Sequence, residues 1–251
     1  MDHSLTQRQA PRVGAIIQAR MGSSRLPGKA LLPLPLASEV SLLARVIERA
    51  LRADITTVIV ATTTLGTDDE VAAVAAAAGA KVFRGSEQDV LARFYEAATA
   101  SQLDTVVRLT ADNPAIDPCY INLALAHHHQ AAADYTMSTG LPLGTNLEII
   151  RYEALQQAHN QALLTEEREH VTPYIRRHQE RFNVQEIDLA PENKAWASYR
   201  LTVDYPSDYA LLQLLYSSLP PDFSLADVDA LYLRYPWLPQ INAANQQIRV
   251  V

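Results

Sequence analysis

Apolar and polar positions follow one another in blocks along the first half of the chain, and the blocks change period. Val13-Gly14-Ala15-Ile16-Ile17 is an unbroken apolar run of strand length, the pattern of a strand buried on both faces. Val40 to Leu51 has a helical period. Val40, Leu43, Val46, Ile47 and Ala50 share one face, and Arg45, Glu48, Arg49 and Arg52 are assigned to water. Thr56 to Thr62 is a β-branched strand. Thr67 and Glu70 have the spacing of a capping box, which opens an Ala-rich helix stopped by Gly79. Lys81 to Arg84 reads as a short strand, with Ser86 the expected N-cap of the helix after it. Asp104 to Leu109 gives another strand, and Asp117-Pro118 begins another helix. Strands alternating with helices predict an α/β fold with a doubly wound, mostly parallel sheet. In such a sheet a ligand lies at the carboxyl ends of the strands.

From Asp134 the period loosens. Tyr135 to Ser138 and Leu147 to Arg151 read as strands around a turn rich in Gly, Pro and Leu. Glu153 to Leu164 and Glu166 to His178 read as helices, the second holding Pro173. Phe182 to Leu189 and Tyr199 to Val203 return to strand, and Asp208 to Ser217 and Ser224 to Tyr235 close with helices. No repeat or low-complexity linker divides residues 1–251, so one domain is expected, with a small β-rich lobe at about 135–200 inside it.

Composition narrows the function. A formal net charge of −7 argues against a general nucleic-acid binder, which needs a basic face. Cys119 is the sole cysteine, so no intrachain disulfide framework is possible and a reducing compartment suits the chain. Met1 to Pro11 is polar and reads as no signal peptide, and no apolar run reaches membrane-spanning length. The cytoplasm is the expected location, without a membrane partner.

The chemistry concentrates after the first strand. The segment Arg20 to Lys29 holds two Gly, two Ser, one Pro and three cations, Arg20, Arg25 and Lys29. Such a loop presents backbone N–H groups and charged donors to phosphate oxygens. It is not a Walker A loop: five residues separate Gly22 from Gly28, and Ala30 rather than a hydroxyl residue follows Lys29. Nor does a G-x-G-x-x-G fingerprint follow the strand. A solvated basic loop is the plainer reading of the same composition. Two acids end β-type runs, Asp112 after Val106 to Ala111 and Asp204 after Tyr199 to Val203, each two residues before a Pro. Mg²⁺ takes one or two carboxylates together with phosphate oxygens and water, which such a pair could supply. Turn initiation by an Asp before Pro accounts for the same spacing.

Arg20-x-Gly22-Ser23-x-Arg25-Leu26-Pro27-x-Lys29 resembles the N-terminal signature of the sugar cytidylyltransferases that activate 3-deoxy-octulosonate and acylneuraminate, and most of all their spore-coat-polysaccharide branch. The resemblance runs from about Val13 to Tyr216. It implies a Rossmann-like fold of the nucleotide-diphospho-sugar transferase (GT-A-like) type, a three-layer sandwich. It places Arg20 and Lys29 on the triphosphate of CTP, with Ala19, Gly22, Ser23 and Arg25 also lining the nucleotide. Thr110-Ala111-Asp112-Asn113-Pro114 and Val203-Asp204-x-Pro206-x-Asp208 are similar to the family's two acidic segments, which makes Asp112 and Asp204 the Mg²⁺ ligands and leaves Asp208 to cap a helix. Arg84 to Arg93 is similar to the segment near the nucleotide, so Ser86, Asp89 and Arg93 are assigned to the pocket around base and ribose. Capping by Ser86 and an Asp89–Arg93 pair at i,i+4 would explain the same residues. Glu166 to His178 resembles a block that meets the acceptor, with His170, Arg176 and Arg177 facing an anion. A charged helix face with Tyr174 and Ile175 inward is the alternative.

Two departures stand out. Where the branch carries Gly-x-Asp-x-Glu, this chain has Gly144-Thr145-Asn146-Leu147-Glu148, so Asn146 supplies no charge beside Glu148. Pro35-Leu36-Ala37-Ser38-Glu39 replaces a Gly-x-Pro turn. The implied activity is Mg²⁺-dependent transfer of CMP from CTP to a sugar or sugar-acid acceptor, releasing pyrophosphate for surface polysaccharide, by an enzyme that relatives suggest is a homodimer. The alternatives are a nucleotide-sugar-dependent glycosyltransferase of GT-A type and a non-catalytic nucleotide-binding relative. His127-His128-His129 points in three directions on a helix and makes no ligand set.

Overall fold

The first apolar run becomes β1 (Val13–Gln18), five of whose six residues are buried, in a computed structural model that describes residues 11–23 and 25–247. The reading of the first ten residues as free of a signal peptide, and Ser24 of the loop, lie outside the described residues. β1 lies between β2 (Thr57–Thr63) and β4 (Thr105–Thr110), parallel to both, and β2 pairs in parallel with β3 (Lys81–Gly85). Beyond β4 the sheet changes direction. β6 (Glu148–Arg151) runs antiparallel to β4 and to β5 (Tyr135–Thr139), and β5 pairs in parallel with β7 (Val184–Asp188). The order in the seven-stranded sheet is β3-β2-β1-β4-β6-β5-β7. The segment 135–200 thus contributes its three strands to the main sheet and carries the change of direction.

Helices cover both faces. Ala15 and Ile17 of β1 face a core built with α1 (Leu42–Ala50), α2 (Asp69–Ala77), α4 (Pro118–Gln130), α8 (Pro206–Ser218) and α9 (Leu225–Arg234). Ile16 faces the other way, into a core with α3 (Val90–Ala100), α5 (Tyr152–Gln161) and α7 (Pro173–Arg177). Each such Leu or Ile taken from water contributes about 1.5–3 kcal/mol, so the alternation along β1 fixes which helices go to which side. This is the three-layer α/β sandwich expected.

Local expectations needed correcting where polar groups found partners at long range. Arg45 and Arg49, assigned to water, are 8% and 1% exposed. Arg45 donates to Leu34 O at 2.8 Å, and Arg49 donates to Ile116 O and, at 2.7 Å, to Phe223 O. Their guanidinium groups satisfy loop carbonyls that would otherwise lack donors. Thr67 caps nothing. A short 3₁₀ turn, Gly66–Asp68, precedes α2, and Asp68 is drawn away to other donors. The helix expected over Glu166 to His178 is split into α6 (Thr165–His170) and α7, because Pro173 has no N–H and starts its own helix. Val171 lies between them at φ 72°, with Thr172 N donating to His170 O at 2.9 Å, a γ-turn of the strained kind. The helix begun at Tyr152 ends at Gln161, short of Leu164. Tyr199 to Val203 is extended but joins no sheet. It meets Leu143 through one parallel bridge at Arg200 and through Leu201 N to Leu143 O at 2.8 Å.

Candidate active site

The carboxyl ends of β1 to β4 point to one rim of the sheet, and the loop after β1 is folded there by backbone contacts. Met21 N donates to Asp68 Oδ1 at 2.7 Å, tying the loop to the segment after β2, while Gly28 N donates to Met21 O at 3.4 Å. Gly28 takes φ 69°, a left-handed turn that a residue with a Cβ rarely adopts, and a 3₁₀ turn, Lys29–Leu31, follows. This geometry brings Lys29 back toward the sheet.

Lys29 Nζ meets three oxygens: Asp112 Oδ2 at 2.7 Å, Val203 O at 2.7 Å and Asp204 Oδ1 at 3.0 Å. Arg25 also reaches Asp204 Oδ1, at 2.7 Å, and its guanidinium lies over the Tyr205 ring, 5.2 Å from the centroid. The two acids are themselves tied by backbone, Val203 N to Asp112 O at 2.9 Å. Thr110 Oγ1 donates to Asp112 Oδ1 at 2.5 Å. Burial works against ionisation of Asp112, but the Lys29 charge and the bonds from Lys29 and Thr110 outweigh it and hold the pKa below the usual carboxylate value. Arg20, Arg25, Lys29, Asp112 and Asp204 therefore occupy one rim, with Arg25, Lys29 and both acids in contact. Arg20 is exposed and stands 3.7 Å from Glu87.

Behind Asp204 lies a buried support. Arg200 NH2 reaches Asp204 Oδ2 at 3.1 Å, and Arg200 also forks onto Asp208, which is fully buried. Asp208 Oδ2 accepts the N–H groups of Asp204 and Tyr205, both at 3.0 Å, so it caps α8 as expected. Asn242 and Asn245 complete its shell at 2.9 and 2.8 Å. Burial opposes its charge, yet Arg200 and the backbone donors lower its pKa.

The remaining candidates lie around this centre. Ala19 is buried and its N–H donates to Ala61 O at 3.3 Å, Gly22 is exposed, and Ser23 N turns back to Met21 O at 2.9 Å. Ser86 is exposed and accepts from Asp89 N at 3.0 Å, and Asp89, not Ser86, caps α3 through Ala92 N at 2.9 Å. Asp89 pairs with Arg168 at 2.6 Å rather than with Arg93. Arg93 is buried and donates to Ser86 O at 2.7 Å, fixing the backbone of that segment.

A second polar cluster lies on the sheet face. Glu148 accepts from Arg108, Tyr135 and, at 2.7 Å, Thr172, while Arg108 reaches Gln18 at 3.3 Å. Burial resists the charge on Glu148, but Arg108 and the hydroxyl donors lower its pKa, and Tyr135 beside it is pushed well above its usual value. The γ-turn at Val171 sets Thr172 on Glu148 and joins it to half-buried His170. Asn146 is exposed and held in its loop, donating to Leu141 O at 3.0 Å.

Two carboxylate oxygens, one from each acid, lie within 3.0 Å of a single atom, Lys29 Nζ. The pair therefore fits a small hard cation that takes its other ligands from phosphates and water. Among the described residues no cluster of three or more acids, His or Cys could hold a metal alone. Sequence reasoning missed Asp68, Arg108, Arg168 and Arg200. Arg108 and Arg200, each placed inside a strand-like run, carried a local sign of unusual burial. Among the described residues no helix is long and apolar enough to cross a membrane.

A family model described as cytidylyltransferase matches residues 14–229. The chain is 37% identical over 226 residues to the spore coat polysaccharide biosynthesis protein SpsF of Bacillus subtilis, covering 88% of this chain and 94% of that protein. The structure of a cytidylyltransferase from Leptospira borgpetersenii is similar at a TM-score of 0.84 and 32% identity, over 96% of this chain and 100% of the other. A CMP:2-keto-3-deoxy-manno-octonic acid synthetase complexed with CTP superposes at a TM-score of 0.62 over 82% of this chain and 98% of its own. At 20% identity that likeness is one of fold.

Proposed function

The chain belongs to the cytidylyltransferase family and is a CTP-dependent nucleotidyltransferase; from that premise we propose that it transfers CMP from CTP, with Mg²⁺, to a sugar-type acceptor for surface polysaccharide. The observation that carries this reading is the meeting of Arg25 and Lys29 with Asp112 and Asp204 at the carboxyl rim of the sheet. A cation-rich loop held against two acids suits a substrate that brings both a triphosphate and a metal.

In this reading an acceptor hydroxyl attacks the α-phosphorus in line, the P–O bond to the β-phosphate breaks, and pyrophosphate leaves. Arg20, Arg25 and Lys29 bind the triphosphate and stabilise charge gathering on the leaving group. Asp112 and Asp204 would hold Mg²⁺, which when bound would supply Lewis-acid polarisation of the α-phosphate. Ala19, Gly22 and Ser23 line the nucleotide, while Arg93 and Asp89 brace the Ser86 segment beside it. Glu148, with Thr172 and His170, orients the acceptor, whose hydroxyls would donate to the ionised carboxylate. The reaction belongs in the cytoplasm, and a pair of chains meeting through the 135–200 segment is its proposed assembly.

The test is a thermal-shift panel of CTP, UTP, ATP, GTP and UDP-glucose, with Mg²⁺ or EDTA, followed by a pyrophosphate-release screen of acceptors. A ligand that binds only the folded chain raises its melting temperature. A shift with CTP and Mg²⁺ that EDTA removes supports the reading. A shift with UDP-glucose and none with CTP overturns it.

A further inference from the structure

We infer that Lys29 is the resident counter-ion of Asp112 and Asp204, so that this site accepts a divalent cation only together with a polyphosphate. The inference rests on the nucleotidyl-transfer reading above and adds an order of binding to it.

Every donor of Lys29 and every oxygen of the two acids is engaged at the rim, while Arg25 keeps one buried nitrogen, NH1, without a partner. An ammonium has three N–H donors, and Lys29 spends all three on Asp112 Oδ2, Val203 O and Asp204 Oδ1. Each oxygen of the two acids is engaged. Asp112 Oδ1 takes the Thr110 hydroxyl and Oδ2 takes Lys29, while Asp204 Oδ1 takes Lys29 and Arg25 and Oδ2 takes Arg200. Charge is matched too: Lys29, Arg25 and Arg200 stand against Asp112, Asp204 and Asp208. The Lys29 side chain is only 14% exposed, so it is held among the acids and does not trail in water.

A divalent ion approaching this arrangement alone would add two positive charges beside an ammonium and a guanidinium, in a partly buried place where repulsion is weakly screened. It would find no carboxylate oxygen without a donor. A triphosphate changes both conditions. Its oxygens offer Lys29 and Arg25 equivalent charge-assisted bonds a short swing away, on the loop that carries both residues. Their departure from the acids uncovers Asp112 Oδ2 and Asp204 Oδ1, the two oxygens already converging on one point. Lys29 thereby serves twice, first as the cation that keeps the acids ordered and then as a phosphate ligand. Arg200 has no such freedom, because Asp208 holds it from behind, so Asp204 keeps its orientation throughout.

The experiment measures Mn²⁺ binding to the full chain by the loss of the free-ion EPR signal, with and without CTP. The wild type is compared with Lys29→Met, Arg25→Gln and Lys29→Met/Asp112→Asn, each first shown to be folded by circular dichroism. Without nucleotide, Lys29→Met is expected to bind Mn²⁺ at least about tenfold more tightly than the wild type, and the double variant to lose that gain. Arg25→Gln, which removes the charged donor from Asp204 Oδ1, should gain less, about threefold. In the wild type, CTP should tighten Mn²⁺ binding beyond what Mn²⁺–CTP association in solution explains. Wild-type chain that binds Mn²⁺ alone as tightly as Lys29→Met overturns the inference. Should Lys29→Met fail to fold, Arg25→Gln alone decides, and the absence of any gain there is the overturning result. An absent CTP shift would sink the nucleotide reading, whereas the nucleotide-free comparison of wild type and variants speaks to Lys29 alone.

Discussion

Arg200 and Asp208 face each other fork to fork, with Nε 2.8 Å from Oδ1 and NH2 3.0 Å from Oδ2, Asp208 fully buried and Arg200 nearly so. The same guanidinium steadies Asp204 at 3.1 Å, so one buried pair links the first turn of α8 to the rim. Arg200→Ala leaves Asp208 charged, buried and short of its main partner. It is expected to lower stability by about 3–5 kcal/mol, which urea denaturation will measure. Arg200→Lys, which keeps the charge but loses the fork, should recover part of the stability and less of the activity.

Asp112→Asn keeps the shape of the rim and removes the charge that faces Lys29 and that the proposed metal would use. Pyrophosphate release at saturating CTP should fall by at least about 10²-fold, with the folded state retained. Steady-state kinetics beside a thermal melt separates the two effects.

Asp68 holds the segment from Arg20 to Lys29 through Met21 N, at 2.7 Å. Replacing it with Ala frees the loop backbone and removes a charge-assisted acceptor. CTP affinity should weaken by about tenfold, the effect of losing roughly 1.5 kcal/mol, as measured by calorimetric titration.

His128 is 2% exposed and its Nδ1 lies 2.9 Å from Thr136 Oγ1. Burial is the main cause that brings its pKa down from 6.5 to about 4, helped by the charges of His129 and Arg151. The fold therefore accepts the neutral ring, while the unfolded chain takes up a proton first. Stability from this group is complete above pH 6.5 and is lost as pH falls through 6.5 toward 4, by up to about 3 kcal/mol. The difference in urea stability between wild type and His128→Gln, followed from pH 7 to pH 4.5, should show that slope with the wild type the more acid-sensitive.

Gly144 has φ 96°, and a Cβ there would sit 2.7 Å from Thr202 N, a backbone atom that cannot turn aside. Gly144→Ala should cost about 3 kcal/mol from strain and overlap together, and it should move Asp204, two residues beyond the point of contact. A melt with and without CTP and Mg²⁺ checks both effects.

Much of this could be read from the chain because the signals were local. The strand at Val13 to Gln18 and the start of α4 at Asp117-Pro118 rest on neighbouring residues, whereas the meeting of the basic loop with Asp112 and Asp204 was implied by the family resemblance. What escaped was set by distant partners. Arg49 sits at a solvent-like position of α1, yet the carbonyl of Phe223, 174 residues on, draws it inside. Tyr199 to Val203 has strand composition, but among the described residues its bridge goes to Leu143, outside the seven-stranded sheet. Arg200 carried a sign of burial but none of its role, since Asp204 and Asp208 attract it only once α8 folds back under the rim. Pro173 was visible and its effect was underrated, because helical period on both sides masked a break that one missing N–H imposes.

The rim is assembled from pieces far apart in sequence: Lys29 meets Asp112 across 83 residues and Asp204 across 175. During synthesis the loop emerges early and waits for both acids, so a chain stalled before Asp204 holds Lys29 without its full set of partners. The arrangement is therefore closed last by the segment from Val203 into α8, whose carbonyl, carboxylates and backbone supply the final contacts.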